Sequence, residues 1–304
     1  MSVAQNQWST TVYVTTGELP PLNWLEVLNP DIRLGLVRHA LFDFDGTISV
    51  IRRGWETVMI PLMVEMICDG QPATPELVAE VEEYVDRSTG ILTIKQMQWL
   101  EEAVVRRGIA ESPRTAQQYK QIYNERLLRP VRQRMSQMET GTAARDHLMI
   151  AGARSFVEGL HDRHVSLYLA SGTDHVYVLE EANALGVANL FGAHISGAQD
   201  DTEAYTKERI IARILDENHL SGEELVVLGD GPVEIRHAKA RGAIALGVAS
   251  DEEARFGLNP RKRERLLSAG ADLIIADFTH HTELLSVLLD GRLPPAARVD
   301  TERR

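Results

Sequence analysis

The heptapeptide Leu41-Phe42-Asp43-Phe44-Asp45-Gly46-Thr47 constrains this chain more than any other stretch. An apolar run ends in two carboxylates one residue apart and then drops into a Gly-Thr turn. Such a run reads as a parallel strand buried on both faces, and in open α/β sheets ligands sit just beyond the carboxyl ends of these strands. The pleat sends residues i and i+2 to the same side, so Asp43 and Asp45 face one ligand while Phe44 points away. Two carboxylates at about 4 Å repel by roughly 4 kcal/mol at an effective dielectric of 20, which requires a nearby cation or a bound proton. The competing reading is a strand that runs out into a polar Asp-Gly turn.

After this stretch the pattern changes. Leu77, Val81 and Val85 recur at four-residue spacing, and Ile94, Met97, Leu100 and Val104 continue at three to four. A third stripe, Tyr119, Ile122, Tyr123, Leu127, Val131 and Met135, runs through Pro130, where a kink or break is expected. A crossover between parallel strands needs only about a dozen residues, so the all-helical region 55–150 is a domain-sized insert. From 151 onward strands alternate with helices. Apolar runs predict strands over 39–44, 165–170, 225–229, 243–248 and 272–276, with a shorter one over 193–196; helices fit 154–162, 175–185, 207–218, 232–241 and 279–290. The fold class is therefore α/β, a Rossmann-like parallel sheet between two helical layers, with the core over 38–54 and 151–292. Residues 1–37, broken by Pro20, Pro21 and Pro30, read as an irregular arm anchored by Trp8, Trp24 and Leu25, and 293–304 as a mobile tail.

Composition excludes several classes. A formal net charge of −12 argues against a nucleic-acid surface, and the one basic run, Arg261-Lys262-Arg263, reads as a solvated helix face. Cys68 is the only cysteine, so an intrachain disulfide is excluded and a Cys-based zinc site is not expected. The longest apolar stretch, 58–68, contains Pro61 and Glu65 and is too short to span a bilayer. Residues 1–10 lack the features of a signal peptide, and a cytoplasmic protein without membrane contact is expected.

Three further pieces carry chemistry. Ser171-Gly172-Thr173-Asp174 closes the second strand and opens a helix; a hydroxyl and unpaired backbone N–H groups there suit an anion, although Thr173 or Asp174 also suits a plain N-cap. Lys207 starts a helix, the end that the dipole disfavours for a cation, so it serves a cluster of anions or is simply solvated. Gly229-Asp230-Gly231 ends another buried strand, Pro232 suits the first helical position, and Glu234 either reaches back to the same site or stabilises the helix start.

Together and in this order, Asp43-Phe44-Asp45-Gly46-Thr47, Ser171-Gly172-Thr173, Lys207, and Gly229-Asp230-Gly231 with Glu234 resemble the haloacid dehalogenase superfamily of phosphohydrolases. The insert between the first two motifs is similar to the helical cap of its phosphoglycolate phosphatase and β-phosphoglucomutase branch. The resemblance implies a phosphomonoesterase acting on a small phosphorylated metabolite, with Asp43 as nucleophile and Asp45 as general acid and base. It implies Mg²⁺ held by Asp43, the backbone carbonyl of Asp45, and Asp230, with Glu234 acting through water or orienting Lys207. Ser171, Gly172, Thr47 and Lys207 would hold the phosphoryl group. Two departures stand out: Glu234 replaces a frequent Asp, and Glu208 follows Lys207 where Pro is frequent. A phosphomutase shares every residue named; a phospho-receiver shares the Asp cluster and lysine but has no use for the insert. Arg52 and Arg53, just past the first motif, and Thr89 with Ser88, Gly90 and Gln96 in the cap are the expected contacts to the non-reacting end of the substrate, one arginine pairing with a second anionic group.

Overall fold

The computed structural model describes residues 24–108, 113–199 and 205–294. In chain order these form β1 (Leu25–Val27), β2 (His39–Phe42), α1 (Glu56–Cys68), α2 (Pro75–Arg87), α3 (Thr93–Arg107), α4 (Ala116–Glu139), α5 (Ala153–His161), β3 (Ser166–Asp174), α6 (His175–Leu185), α7 (Ala188–Phe191), β4 (Ile195–Ala198), α8 (Lys207–Glu217), β5 (Leu225–Gly229), α9 (Pro232–Ala240), β6 (Ile244–Val248), α10 (Pro260–Ala269), β7 (Leu273–Ile275) and α11 (His281–Asp290).

The sheet runs β1-β7-β6-β5-β2-β3-β4, with β1 antiparallel to β7 and every other pairing parallel. All residues of β2, β5 and β6 are buried, as expected of strands covered on both faces. Their side chains divide by the pleat. Ala40 and Phe42 belong to a core with Phe156 of α5, Val178 of α6 and Leu284 of α11, whereas Leu41 belongs to a second core with Ile211 of α8, Ile235 of α9 and Leu266 of α10. Phe42 meets Phe156 and Phe191 edge to face at 6.1 and 5.9 Å. Truncating a wholly buried Phe such as this costs about 3–5 kcal/mol, so the strand carrying the two aspartates is firmly held.

Helices α1 to α4 fill the connection between β2 and β3 and form the helical cap. The expected break at Pro130 does not occur: α4 runs from Ala116 to Glu139 with Pro130 inside it. Its buried stripe, Tyr119, Tyr123, Leu127, Val131 and Met135, continues on both sides of the proline, and that packing outweighs the roughly 3 kcal/mol of the lost bond and ring clash. The arm is also not wholly irregular, since β1 closes the sheet edge and Trp24 stacks on His280 at 5.1 Å. Trp8 and the tail beyond 294 lie outside the described residues. Helix α10 falls where the sequence shows only a charged run, and its Lys262 is buried while Arg263 pairs with Glu26 at 2.7 Å. That run is therefore not a solvated face. No helix among the described residues is long and apolar enough to cross a membrane.

Candidate active site

The parallel strands end on one side of the sheet, and the motif residues meet there. β2 and β5 are in register, Phe42 against Leu228, and the N–H of Asp43 donates to the carbonyl of Leu228 at 2.8 Å. Asp43 and Asp230 thus leave adjacent strands within one residue of the same level. Lys207, first residue of α8 behind the capping hydroxyl of Thr206, is buried and sends Nζ to Asp43 Oδ1 at 2.7 Å and to Glu234 Oε2 at 3.1 Å. Glu234 Oε1 accepts the N–H of Gly231 at 2.8 Å, which closes the first turn of α9. Ligand oxygens of Asp43, Asp230 and Glu234, all buried, lie within 4.8 Å of one another.

Asp45 stands beside this cluster. Its Oδ2 accepts hydrogen bonds from Ser171 Oγ at 3.1 Å and Thr173 Oγ1 at 3.2 Å, whereas Oδ1 is buried without a hydrogen-bond partner among the described residues, 3.9 Å from Arg52 Nε. Burial pushes the Asp45 carboxyl up, against the pull of Arg52 and the two hydroxyls, so the group leans toward the protonated form that an acid needs. Burial also drives Asp43 well above its ordinary range; Lys207 opposes this, and Glu234 and Asp230 add to it. Asp230 goes the other way: burial would raise it, but Lys262, Arg265 and Lys207 hold it below the ordinary range. Lys207 is itself raised despite burial, by Asp43 and Glu234.

The cap reaches into the site. The segment between α2 and α3 puts Thr89, Gly90 and Ile91 on the wall of a cleft of about 70 Å³ that also includes Asp43, Asp45 and Ser171. A Cβ on Gly90, whose φ is +94°, would lie 2.5 Å from Glu234 Oε2; one on Gly172 would lie 2.2 Å from the carbonyl oxygen of Ile91. Only glycine permits so close an approach of cap to core. Arg265 of α10 spans the same seam, donating to the carbonyl of Asp230 at 3.0 Å, Thr89 Oγ1 at 3.3 Å and Asp86 at 3.1 Å.

Asp43, Asp45, Ser171, Gly172, Lys207, Asp230 and Glu234 are thus brought together, with Thr89 at the cleft wall. Gln96 lines it too, its amide donating to Ser88 Oγ at 3.1 Å. Thr47 is wholly buried, its hydroxyl without a partner among the described residues, and is not part of the wall. Arg53 pairs with Glu253 at 3.3 Å away from the cleft. Arg52 does line the cleft, but its guanidinium is held by Glu181, Nε at 3.0 and 3.2 Å and Nη2 at 2.6 Å.

Sequence reasoning missed Glu181, Thr173 as a partner of Asp45, and the pair Lys262 and Glu252. Lys262 Nζ lies 2.7 Å from both Asp230 Oδ2 and Glu252 Oε1. The rule applied to Lys207 would have found it: α10 follows the carboxyl end of β6, and Lys262 is in its first turn. No motif spacing signals Glu181, which is 129 residues from its partner.

A family model for haloacid dehalogenase-like hydrolases matches residues 37–242, about two thirds of the chain and every element that carries the site except α10. The chain belongs to this hydrolase family. Among solved structures, a predicted phosphatase from Clostridium acetobutylicum aligns over 83% of this chain and 99% of its own, with TM-score 0.53 and 17% identity. A predicted phosphoglycolate phosphatase from Haemophilus somnus 129pt aligns over 82% and 98%, TM-score 0.51, 16% identity. β-Phosphoglucomutase from Clostridium difficile aligns over 84% and 98%, TM-score 0.51, 12% identity. At these identities the likeness is one of fold. No curated protein matches the sequence.

Proposed function

We propose that this hydrolase is a Mg²⁺-dependent phosphatase of small phosphorylated metabolites that works through an aspartyl-phosphate. The observation that carries the reading is the meeting of Asp43, Lys207, Asp230 and Glu234 at the strand ends, with a second carboxylate, Asp45, beside them and held toward its neutral form.

The donor set suits a hard divalent cation. Lys207 occupies Asp43 Oδ1, Lys262 occupies Asp230 Oδ2, and both oxygens of Glu234 are engaged. That leaves Asp43 Oδ2, Asp230 Oδ1 and the backbone carbonyl of Asp45, none of which accepts a hydrogen bond among the described residues. Few protein oxygens with the rest of the shell as water is the usual arrangement for Mg²⁺. Burial, more than its carboxylate neighbours, drives Asp43 upward, and a cation at these oxygens would oppose that drive. When bound, the ion supplies charge that offsets the phosphoryl oxygens and lets Asp43 remain ionised. Glu234 then serves to orient Lys207.

The residues divide the remaining work. An Asp43 oxygen attacks phosphorus while the ester oxygen leaves with the proton of Asp45. Water then gives a proton back to Asp45 and attacks the same phosphorus, releasing inorganic phosphate and Asp43. Lys207 and the Ser171 hydroxyl, with the N–H group at Gly172, hold the transferred oxygens, while the Thr173 N–H donates to Ser171 Oγ at 3.1 Å and orients that hydroxyl. Catalysis is thus mainly positioning and charge stabilisation. Thr89, Gly90 and Ile91 of the cap exclude water when the cleft is closed.

The test is phosphate release from a panel of phosphorylated metabolites and p-nitrophenyl phosphate, with Mg²⁺ and with excess chelator. Activity is expected only with Mg²⁺ and is expected to fall to background in Asp43→Asn, whose far-ultraviolet dichroism should match wild type. Full activity in chelator, or turnover near wild type in Asp43→Asn, would refute the assignment.

A further inference from the structure

The far end of the cleft carries one positive side chain, and its charge is already matched. Arg52 is 5% exposed and Glu181, which it grips through three N–H to oxygen contacts of 2.6–3.2 Å, is 1% exposed. On the cleft side Arg52 faces Asp45, 3.9 Å from Nε, and its guanidinium lies over the ring of Tyr177 at 5.6 Å. Two carboxylates therefore share one guanidinium. The rest of the wall away from the phosphoryl site is uncharged: Trp55, Thr93, Gln96, Tyr123 and Leu127. The Tyr123 hydroxyl makes no hydrogen bond among the described residues, and the Gln96 carbonyl is left over once its amide has bonded Ser88.

We propose that Glu181 cancels the charge of Arg52 and so tunes the cleft to phosphate monoesters of small, uncharged, hydroxylic alcohols, and against esters bearing a second anionic group. This rests on the phosphatase reading and narrows its substrate class. A carboxylate placed against Arg52 would stand close to Glu181 as well, so like-charge repulsion opposes the one attraction on offer. A hydroxyl meets no such conflict. It can accept from Tyr123 or from the remaining guanidinium N–H groups and donate to the Gln96 carbonyl. The cleft, about half the roughly 150 Å³ that accommodates benzene, favours alcohols of a few carbons.

The experiment compares 2-hydroxyethyl phosphate with 2-phosphoglycolate, which share a two-carbon skeleton and differ in one terminal charge. kcat/KM is measured for both in wild type and in Glu181→Gln, with p-nitrophenyl phosphate as a common reference. Wild type is expected to favour the neutral ester by about tenfold or more. Glu181→Gln frees the Arg52 charge while keeping an acceptor for it, and is expected to shift the ratio toward 2-phosphoglycolate by about tenfold, mainly through KM. A wild-type preference for 2-phosphoglycolate overturns the proposal, whether or not the variant folds, and leaves the phosphatase reading standing. An unchanged ratio in a folded Glu181→Gln overturns the role of Glu181. Failure on both esters and on p-nitrophenyl phosphate with Mg²⁺ present refutes the phosphatase reading itself, and the substrate class with it.

Discussion

Replacing Gly172 by alanine isolates the seam between cap and core. Gly172 is in β3 without a positive φ, so alanine is allowed there on backbone grounds, and the added methyl meets the carbonyl oxygen of Ile91 at 2.2 Å and its carbon at 3.0 Å. Ordinary contact begins at about 3.4 Å, so the cap segment has to retreat by about 1 Å. The atoms in the way are backbone, which rules out a cheap rotamer change. A displacement of that size next to reacting groups costs on the order of a hundredfold, and here it also separates Gly90 from Glu234 and Lys207. The expected result is a fall in kcat/KM of about a hundredfold with the core intact. Melting should move by only a few degrees, while hydrogen exchange rises over 88–93 and stays unchanged in β2 and β5. Wild-type kcat/KM with wild-type exchange over 88–93 would refute the reasoning, because it would mean that closure to this distance is not needed for turnover.

Asp45→Asn is expected to slow turnover by about 10²–10⁴-fold, and more for alkyl than for aryl phosphates; an equal loss on both would contradict protonation of the leaving group. Lys262→Gln removes an ammonium 2.7 Å from Asp230 Oδ2 and is expected to tighten Mg²⁺ binding by about tenfold, or ~1.4 kcal/mol, in titration calorimetry; weaker binding would show that Lys262 supports the ion instead. Glu56, half-buried, has its carboxyl pushed up to about 7, first by burial and then by Glu252. A carboxyl raised in the folded state loses stability as pH climbs from its unfolded value of 4.5 through about 7. Glu56→Gln should therefore melt higher than wild type at pH 8 and with no such advantage at pH 4; the opposite slope would refute it.

The sheet was legible because each of its parallel strands is a short apolar run followed by polar turn residues. β5 and α6 fall on their expected bounds, and β2, α8 and α9 within two residues at either end. The main site followed for the same reason: Asp43, Ser171 and Asp230 stand at the carboxyl ends of neighbouring strands, and chain topology brings such ends together whatever lies between them. Outside the cap, three elements have no expected bounds: β1, α10, whose basic run reads only as a solvated helix face, and α7, a single turn. β1 has three residues and pairs at an edge, so it shows no period. α10 carries five charges within its first six residues, and its buried side, Lys262, Leu266 and Ala269, contains a cation. Amphipathic patterning detects buried apolar groups, whereas Lys262 is buried for its charge.

The partners of the arginines were out of reach for a different reason. Position in sequence places Arg52 and Arg53 close to Asp45 and says nothing about what else arrives. Arg52 lies just past the end of β2, which pairs with β3, and α6 follows β3 directly. The middle of α6 therefore comes back over the loop after β2 and delivers Glu181 to Arg52. Arg53, one residue on, points elsewhere and meets Glu253 beyond β6. One residue along a loop thus separates a guanidinium on the cleft wall from one outside it. The same topology decides the chemistry of the wall, because a buried Arg without Glu181 would be an anion site, and with Glu181 it is a neutral one. The sign of the selectivity therefore depends on a contact across the fold that no local motif encodes.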